Sequence, residues 1–311
     1  MISIVIPLYN KEKYVLATLQ SVFDQTYQNF EVLVVDDGST DNGLELVKSI
    51  KDSRIHIVEH SKNKGPSAAR NTGISMAKGE VISLIDADDT WMSTYLEEIM
   101  KLVKGFPKAS LFGTCYQEVY SNQNVRDCTI LMSTKLKNQQ FYIANFFESS
   151  LGMPVICPSS FSFKKNIFQT IEPFNESIDF AEDVDFYIRS NLAFKMAYSY
   201  KALVNVKMDI QGQTTSQSLD RKILPNLNSY EKKNRNNYSL INYLNFKRYM
   251  FAMKYKWDKN KKGMKLMLDS MDRSHLTIKQ KILISMPFSL FWLIRSFKLR
   301  LLRIGIRWTT F

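Results

Sequence analysis

Histidine and cysteine occur only three times each in 311 residues. The cysteines, Cys115, Cys128 and Cys157, are odd in number and lack C-x-x-C spacing, which excludes a disulfide framework or a paired-thiolate metal centre. They are expected as buried or incidental thiols in a reducing compartment. His56 and His60 flank a predicted strand edge with no nucleophile beside them, and His275 is isolated, so all three read as surface residues rather than ligands. Long apolar runs are missing as well. The longest uncharged stretch near the C-terminus, Ile282 to Ile294, has 13 residues and contains Pro287. A spanning helix needs roughly 18 to 20. No basic leader precedes the apolar N-terminus, which runs straight into a predicted strand, so a cytoplasmic protein is expected. There is no internal repeat.

Acidic residues are scarce in one part of the chain. Residues 221–311 hold 21 Lys and Arg against 4 Asp and Glu, a net +17, which leaves −5 for the remainder of a chain whose total is +12. A sign change of that size predicts two zones: a body of residues 1–220 that handles metal and nucleotide, and a basic helical region of residues 221–311 that meets something anionic. With 45% hydrophobic and 13% aromatic residues the chain has ample material for a packed core and is not a disordered protein.

The first 115 residues alternate β-branched runs with helical periodicity, the pattern of βαβ units in a mostly parallel sheet. Strands are predicted at Ile2 to Ile6, Glu31 to Val35, Arg54 to Val58, Val81 to Ile85 and Ala109 to Gly113. Helices are predicted at Glu12 to Gln25, Asp41 to Lys51, Ser67 to Ala77 and Ser93 to Lys104, with Asn10, Asp41 and Ser93 as N-caps. From Tyr116 to about Lys207 the pattern is less regular, and Ser121 to Asn124 reads as a loop.

Polar loops follow the apolar strands. PLYN (Pro7 to Asn10), DDGSTD (Asp36 to Asp41) and DADD (Asp86 to Asp89) each sit where a predicted strand ends. In an open α/β sheet ligands bind outside the carboxyl ends of the strands, so the three loops should converge on one crevice. Three carboxylates in DADD repel one another, and a divalent cation bridging them to a diphosphate relieves that repulsion. Asp-Gly-Ser by itself is also ordinary turn sequence.

In order along the chain, SIVIPLYN, VVDDGSTD, NKGPSAARN, GEVISLIDADD and AEDVDF resemble the family 2 inverting glycosyltransferases of the GT-A fold, over roughly the first two thirds of the chain. The resemblance implies an α/β, Rossmann-like nucleotide-sugar-binding domain and a metal-dependent transfer of one sugar from a nucleoside-diphosphate donor, most simply UDP-linked, to a hydroxyl acceptor. It implies that Pro7, Tyr9 and Asn10 line the base site, with Asp37 accepting the N3 proton of uracil. Gly65 and Arg70 would lie by the diphosphate, at a helix start that attracts anions; a structural ion pair is the alternative role for Arg70. Asp86 would contact the ribose and the metal side, and Asp88 would bind Mg²⁺ or Mn²⁺. Asp89 is either a second ligand or a cap of the following helix. Asp183 is expected as the general base with Glu182 orienting it, and Asp185 is the competing choice.

The chain departs from the family at Asn205 to Gln217, which has no His or Arg, so either Lys207 or Gln213 substitutes in holding the diphosphate or a mobile loop does so differently. The Q-x-x-R-W signature of processive synthases is absent, which favours single-sugar transfer. At Arg295, Lys298, Arg300, Arg303 and Arg307 basic residues interleave with apolar ones, an arrangement suited to an anionic interface. With the Lys-rich stretch Lys254 to Lys265 this predicts a peripheral protein on the inner membrane face that meets a lipid-linked saccharide acceptor. Nucleic acid is not expected as a partner, because the aromatics cluster with aliphatics instead of alternating along a basic groove. The rival functions are a catalytically inactive nucleotide-sugar-binding scaffold and a sugar-nucleotide pyrophosphorylase. The latter would want a Gly-rich basic loop in place of PLYN.

Overall fold

The computed structural model of the chain describes residues 1–120, 124–127, 139–208, 210, 213 and 217–303, apart from the side chains at 295 and 298–303. Cys128, most of the Asn205 to Gln217 stretch beyond Met208, and the basic side chains from Arg295 onward therefore lie outside the described residues, as do Arg307 and Trp308. The chain divides into two compact units. The first comprises Met1–Phe146, Met153–Gln213 and Ile223–Pro225; the second comprises Phe147–Gly152, Thr214–Lys222 and Asn226–Phe311.

The first unit is built on a sheet whose strands are β1 (Ile2–Leu8), β2 (Phe30–Asp36), β3 (Ile55–Glu59), β4 (Val81–Leu84), β5 (Thr90–Trp91), β6 (Ala109–Val119), β7 (Val125–Asp127), β8 (Gln140–Tyr142), β9 (Phe161–Lys164) and β10 (Lys195–Lys207). The order is β3-β2-β1-β4-β9-β6-β10-β5, with β7 on β6 and β8 on β10. This is the mostly parallel α/β sheet expected of the GT-A fold: β1, β2, β3 and β4 pair in parallel, as do β6 and β10. Strand β9 is inserted antiparallel between β4 and β6. Every residue of β2 is buried, and β1 is buried except at Pro7, as continuous apolar runs flanked by layers on both faces must be.

Its helices are α1 (Val15–Phe23), α2 (Gly43–Lys48), α3 (Pro66–Met76), α4 (Tyr95–Gly105) and α6 (Glu182–Ala193), while the short α5 (Phe146–Ser149) has Phe146 in the first unit and its other residues in the second. Helix α4 buries Tyr95, Leu96, Ile99 and Leu102, a stripe at helical spacing, with Glu97 and Glu98 in its first turn and Lys104 in its last to complement the dipole. The predicted N-caps are corrected. Tyr14, Asn42 and Thr94 occupy the cap positions of α1, α2 and α4, and none makes a side-chain cap bond. Asn10 and Asp41 are engaged in holding loops together, so α1 and α2 begin two or three residues later than their periodicity alone implies.

The second unit holds α7 (Leu227–Lys233), α8 (Tyr238–Trp257), α9 (Lys261–Asp269), α10 (Ile278–Ser285) and α11 (Phe288–Arg303). Asn226, Asn237, Asn260 and Thr277 cap α7, α8, α9 and α10 through their side chains. Arg248 is buried and donates to Asn228, Glu231 and Asn245. Lys256 corrects the sequence expectation that Lys254 to Lys265 forms one exposed basic stretch. It is fully buried, and its Nζ donates to the carbonyl oxygens of Leu283 at 2.6 Å, Ile284 at 2.9 Å and Met286 at 2.6 Å, capping the end of α10. Burial also lowers its pKa.

Candidate functional site

Because β1, β2 and β4 are parallel neighbours, their carboxyl ends open on one edge of the sheet. The first two loops are stitched to each other. Asn10 takes a positive φ of 53°, which Asn tolerates, and its Oδ1 accepts from Thr40 N at 2.8 Å while its own N–H donates to Ser39 Oγ at 3.1 Å. Glu12 N donates to Asp41 Oδ2 at 2.8 Å, and Asn42 N returns a bond to Glu12 Oε2 at 3.1 Å. The loop so fixed presents Tyr9 at 42% exposure beside half-buried Pro7.

Asp37 is buried and takes three donors: His60 Nδ1 at 2.7 Å and Lys64 N at 2.9 Å on Oδ1, and Gly65 N at 2.8 Å on Oδ2. The reading of His60 as a surface residue is thus corrected. Its side chain is 6% exposed, with Nε2 at 3.0 Å from Thr72 Oγ1, because the segment 60–65 folds back over the end of β2. Gly65 stands at φ 91°, a region that favours glycine, and is the residue from which α3 starts, with Pro66 in its first turn. His56 remains a partly exposed edge residue, 3.7 Å from Glu31, and His275 lies 3.4 Å from Asp272.

Helix α3 carries the site from Asp37 to the acidic loop. Five residues beyond Gly65, about 7 Å along the axis at helical rise, Arg70 is buried with Nη2 at 2.9 Å from Asp86 Oδ1 and Nη1 at 2.7 Å from Glu182 Oε1. Burial alone would lower its pKa; the charges of Asp86 and Glu182 outweigh that and raise it. The guanidinium also lies 5.5 Å from the Phe174 ring centroid.

The members of DADD have different surroundings. Asp86 is the most open, its side chain 33% exposed, and its N–H donates to Ser159 Oγ at 3.0 Å. Asp88 is 12% exposed and forms an ion pair with Lys11, Nζ to Oδ2 at 2.6 Å. Burial, together with the charge of Asp86, raises the Asp88 pKa against the opposing pull of Lys11. Asp89 is buried and takes Ser159 Oγ at 2.5 Å and Lys207 N at 3.0 Å, while its carbonyl accepts from Thr18 at 2.7 Å. It therefore joins α1, β10 and the Pro158–Ser160 turn and does not cap α4, which starts six residues later. Burial first, then Asp88 and Asp86, push its carboxyl well above the ordinary range.

Glu182, Asp183 and Asp185 occupy the first turn of α6, entered through Ala181 in the left-handed region at φ 62°. A non-glycine residue there carries strain of order 1 kcal/mol, held in place by the surrounding contacts. Asp185 points away toward Arg189, whose Nε and Nη2 both reach its Oδ2, at 2.9 and 2.8 Å. Tyr187 is buried one turn beyond Asp183, its hydroxyl without a partner among the described residues, and burial followed by the Asp183 charge raises its pKa well above normal.

Two clusters result: Asn10, Asp37, Gly65 and His60 in one, and Arg70, Asp86, Asp88 and Glu182 in the other, with α3 and the Tyr9 to Lys11 loop linking them. Lys11, His60 and Ser159 belong to this assembly and were not expected from sequence. A signal existed for Lys11, since three adjacent carboxylates demand a nearby cation and it directly follows PLYN. Lys207 contributes its backbone to Asp89, and its ammonium lies 5.0 Å from the Tyr14 ring centroid. Gln213 Nε2 donates to Lys207 O at 2.6 Å.

A crevice of this kind, at the carboxyl ends of parallel strands, is where open α/β sheets bind their ligands. The sequence profile of glycosyl transferase family 2 matches residues 3–172, more than half of the chain, and the protein belongs to that family. It is 39% identical over 127 residues to glycosyltransferase GlyG of Streptococcus pneumoniae, a match covering 40% of this chain and 42% of that one. It is 40% identical over 94 residues to WfaP of Escherichia coli, named a UDP-Glc:alpha-D-GlcNAc-diphosphoundecaprenol beta-1,3-glucosyltransferase, over 30% of this chain and 38% of that one. The chain thus spans less than half the length of these relatives. Crystal structures of S. aureus TarS 1-349 share the fold. The complex with UDP-GlcNAc superposes with a TM-score of 0.60 at 18% identity, over 86% of this chain and 90% of that one. The complex with UDP gives 0.58 at 17%, over 93% and 76%.

Proposed function

We propose that the protein transfers a single sugar, with inversion, from a UDP-linked donor to a hydroxyl of a lipid-linked saccharide in surface-polysaccharide assembly. The observation that carries this reading is Arg70, one buried guanidinium that ties the loop after β4 to the start of α6. In this reading it joins the donor side, Asp86 and Asp88, to the acids of the acceptor side, Glu182 and Asp183. WfaP, named for a UDP-sugar donor and a diphosphoundecaprenol acceptor, supports the substrate class, and the UDP complexes of a protein with the same fold support the donor.

In this mechanism Pro7 and Tyr9 hold the base, Asp37 accepts its N–H through lone pairs left on Oδ2, and Asp86 orients the ribose. Asp183 removes the proton from the acceptor hydroxyl as its oxygen attacks C1 from the face opposite the diphosphate. Glu182, fixed by Arg70, orients the acceptor.

The donor set suits a hard cation. Among the described residues no three His, Cys, Asp or Glu cluster as a metal cage, but Mg²⁺ commonly takes one or two carboxylates and completes its shell with substrate phosphates and water. Asp88, whose carboxyl is destabilised as an anion by burial and Asp86, would hold Mg²⁺ or Mn²⁺ beside Asp86. The ion, when bound, supplies charge neutralisation of the departing diphosphate.

Presented with a panel of UDP-sugars and a GlcNAc-diphospho-lipid acceptor, the protein is expected to consume one donor in the presence of Mn²⁺ and to lose that turnover in EDTA. Donor binding without any transfer or hydrolysis would instead favour a non-catalytic nucleotide-sugar-binding protein.

The basic helical unit is the proposed membrane contact. No helix among the described residues is long and apolar enough to cross a membrane. Helices α10 and α11 nevertheless expose Ile278, Ile282, Leu290, Leu293 and Phe297. Vesicles rich in anionic lipid are expected to co-sediment the protein at low salt, and Leu293→Glu with Phe297→Glu should release it. A protein that stays in the supernatant under all conditions removes this half of the proposal.

A further inference from the structure

Lys11 is the cation of this site that the proposed mechanism leaves unused. It follows Tyr9 and Asn10 on the loop after β1, yet its Nζ reaches Asp88 Oδ2 at 2.6 Å, so one side chain spans the base-side and acidic loops. The two side chains are 16% and 12% exposed, which makes the pair largely desolvated. The other nearby cations are differently engaged. Arg70 has Asp86 and Glu182 on its two Nη atoms, and the Lys207 ammonium sits over Tyr14. Lys11 has Asp88 as its partner among the described residues, on a four-carbon stem that can turn.

A divalent ion on Asp88 and an ammonium 2.6 Å from the same oxygen exclude each other by charge and by size. An ammonium displaced from Asp88 remains beside the two negatively charged phosphates of a donor, for which a lysine is a flexible point-charge partner.

We propose that Lys11 is a diphosphate-binding residue that competes with the divalent ion for Asp88 and turns to the donor's phosphates when the ion takes that carboxylate. The exchange makes ion and nucleotide bind together more readily than either binds alone. The inference rests on the donor reading above and adds a residue to it.

The test measures two affinities of opposite expected sign on the full chain. Mn²⁺ binding without nucleotide, followed by electron paramagnetic resonance, should tighten several-fold in Lys11→Met, because the competitor is gone. UDP binding in saturating Mn²⁺, measured by calorimetry, should weaken by about tenfold or more, the loss of one charge-assisted hydrogen bond. Lys11→Arg retains a cation and should stay near wild type in both, while a fold damaged at this position would weaken both affinities together. Unchanged affinities in Lys11→Met, or loss of both, overturn the proposal while wild-type UDP binding leaves the donor reading intact. A wild-type protein that binds no UDP-nucleotide with Mn²⁺ overturns both.

Discussion

Asp183→Asn is expected to reduce sugar transfer by about 100- to 10,000-fold, the usual contribution of a positioned general base, while UDP affinity stays within about twofold. The assignment of Asp183 is the one the family resemblance implies, and the first turn of α6 shows how its neighbouring acids are held. Asp185 has Oδ2 engaged by both Nε and Nη2 of Arg189, and Glu182 has Oε1 on Arg70, so each is held as part of a structural ion pair. Asp183 is half-buried between them, at the helix start where the dipole favours the anion that a base must be. Asp185→Asn provides the contrast. It should lower unfolding stability more than turnover, since its main loss is the bond to Arg189. Measured transfer rates for both variants decide the matter; near-normal turnover in Asp183→Asn combined with a dead Asp185→Asn would reverse the assignment.

Arg70→Met should lower unfolding free energy by about 3 to 5 kcal/mol, the range for breaking a buried ion pair from one side, and should weaken donor binding as well. The side chain is 4% exposed, so its removal leaves Asp86 and Glu182 facing each other without compensation. Arg70→Lys will rescue only part of the loss, because a single ammonium cannot reproduce the fork that serves two carboxylates in different directions. Urea unfolding of wild type and variant at pH 7 checks the magnitude; an unchanged midpoint in Arg70→Met would contradict the account.

The order of β1 to β4 and α1 to α4 could be read from periodicity because those signals are local: β1, β2 and β4 bury both faces as short apolar runs, β3 is a β-branched edge run, and the helices between them repeat apolar residues at the period of one turn. Strand β9 could not. It has four residues, and its place between β4 and β6 comes from pairing with partners roughly fifty to eighty positions away in sequence. The same distance effect explains His60 and Lys256. As a polar or charged side chain each looks like a surface residue, and each is buried against partners well separated in sequence: Asp37 and Thr72 on the two ring nitrogens of His60, and the carbonyl end of α10 on Lys256. Late starts of α1 and α2 have a related cause, since Asn10 and Asp41 hold loops to each other.

The family, the α/β alternation and the acidic character of the loops were written into the primary sequence, because motifs and hydrophobic periods are properties of residues close together in the chain. Which acid faces which cation was not. Arg70 meets Glu182 across 112 positions and Lys11 meets Asp88 across the β1–β4 edge, and such long-range ion pairs arise when the packed sheet brings charged side chains into a water-poor crevice where each must find a partner.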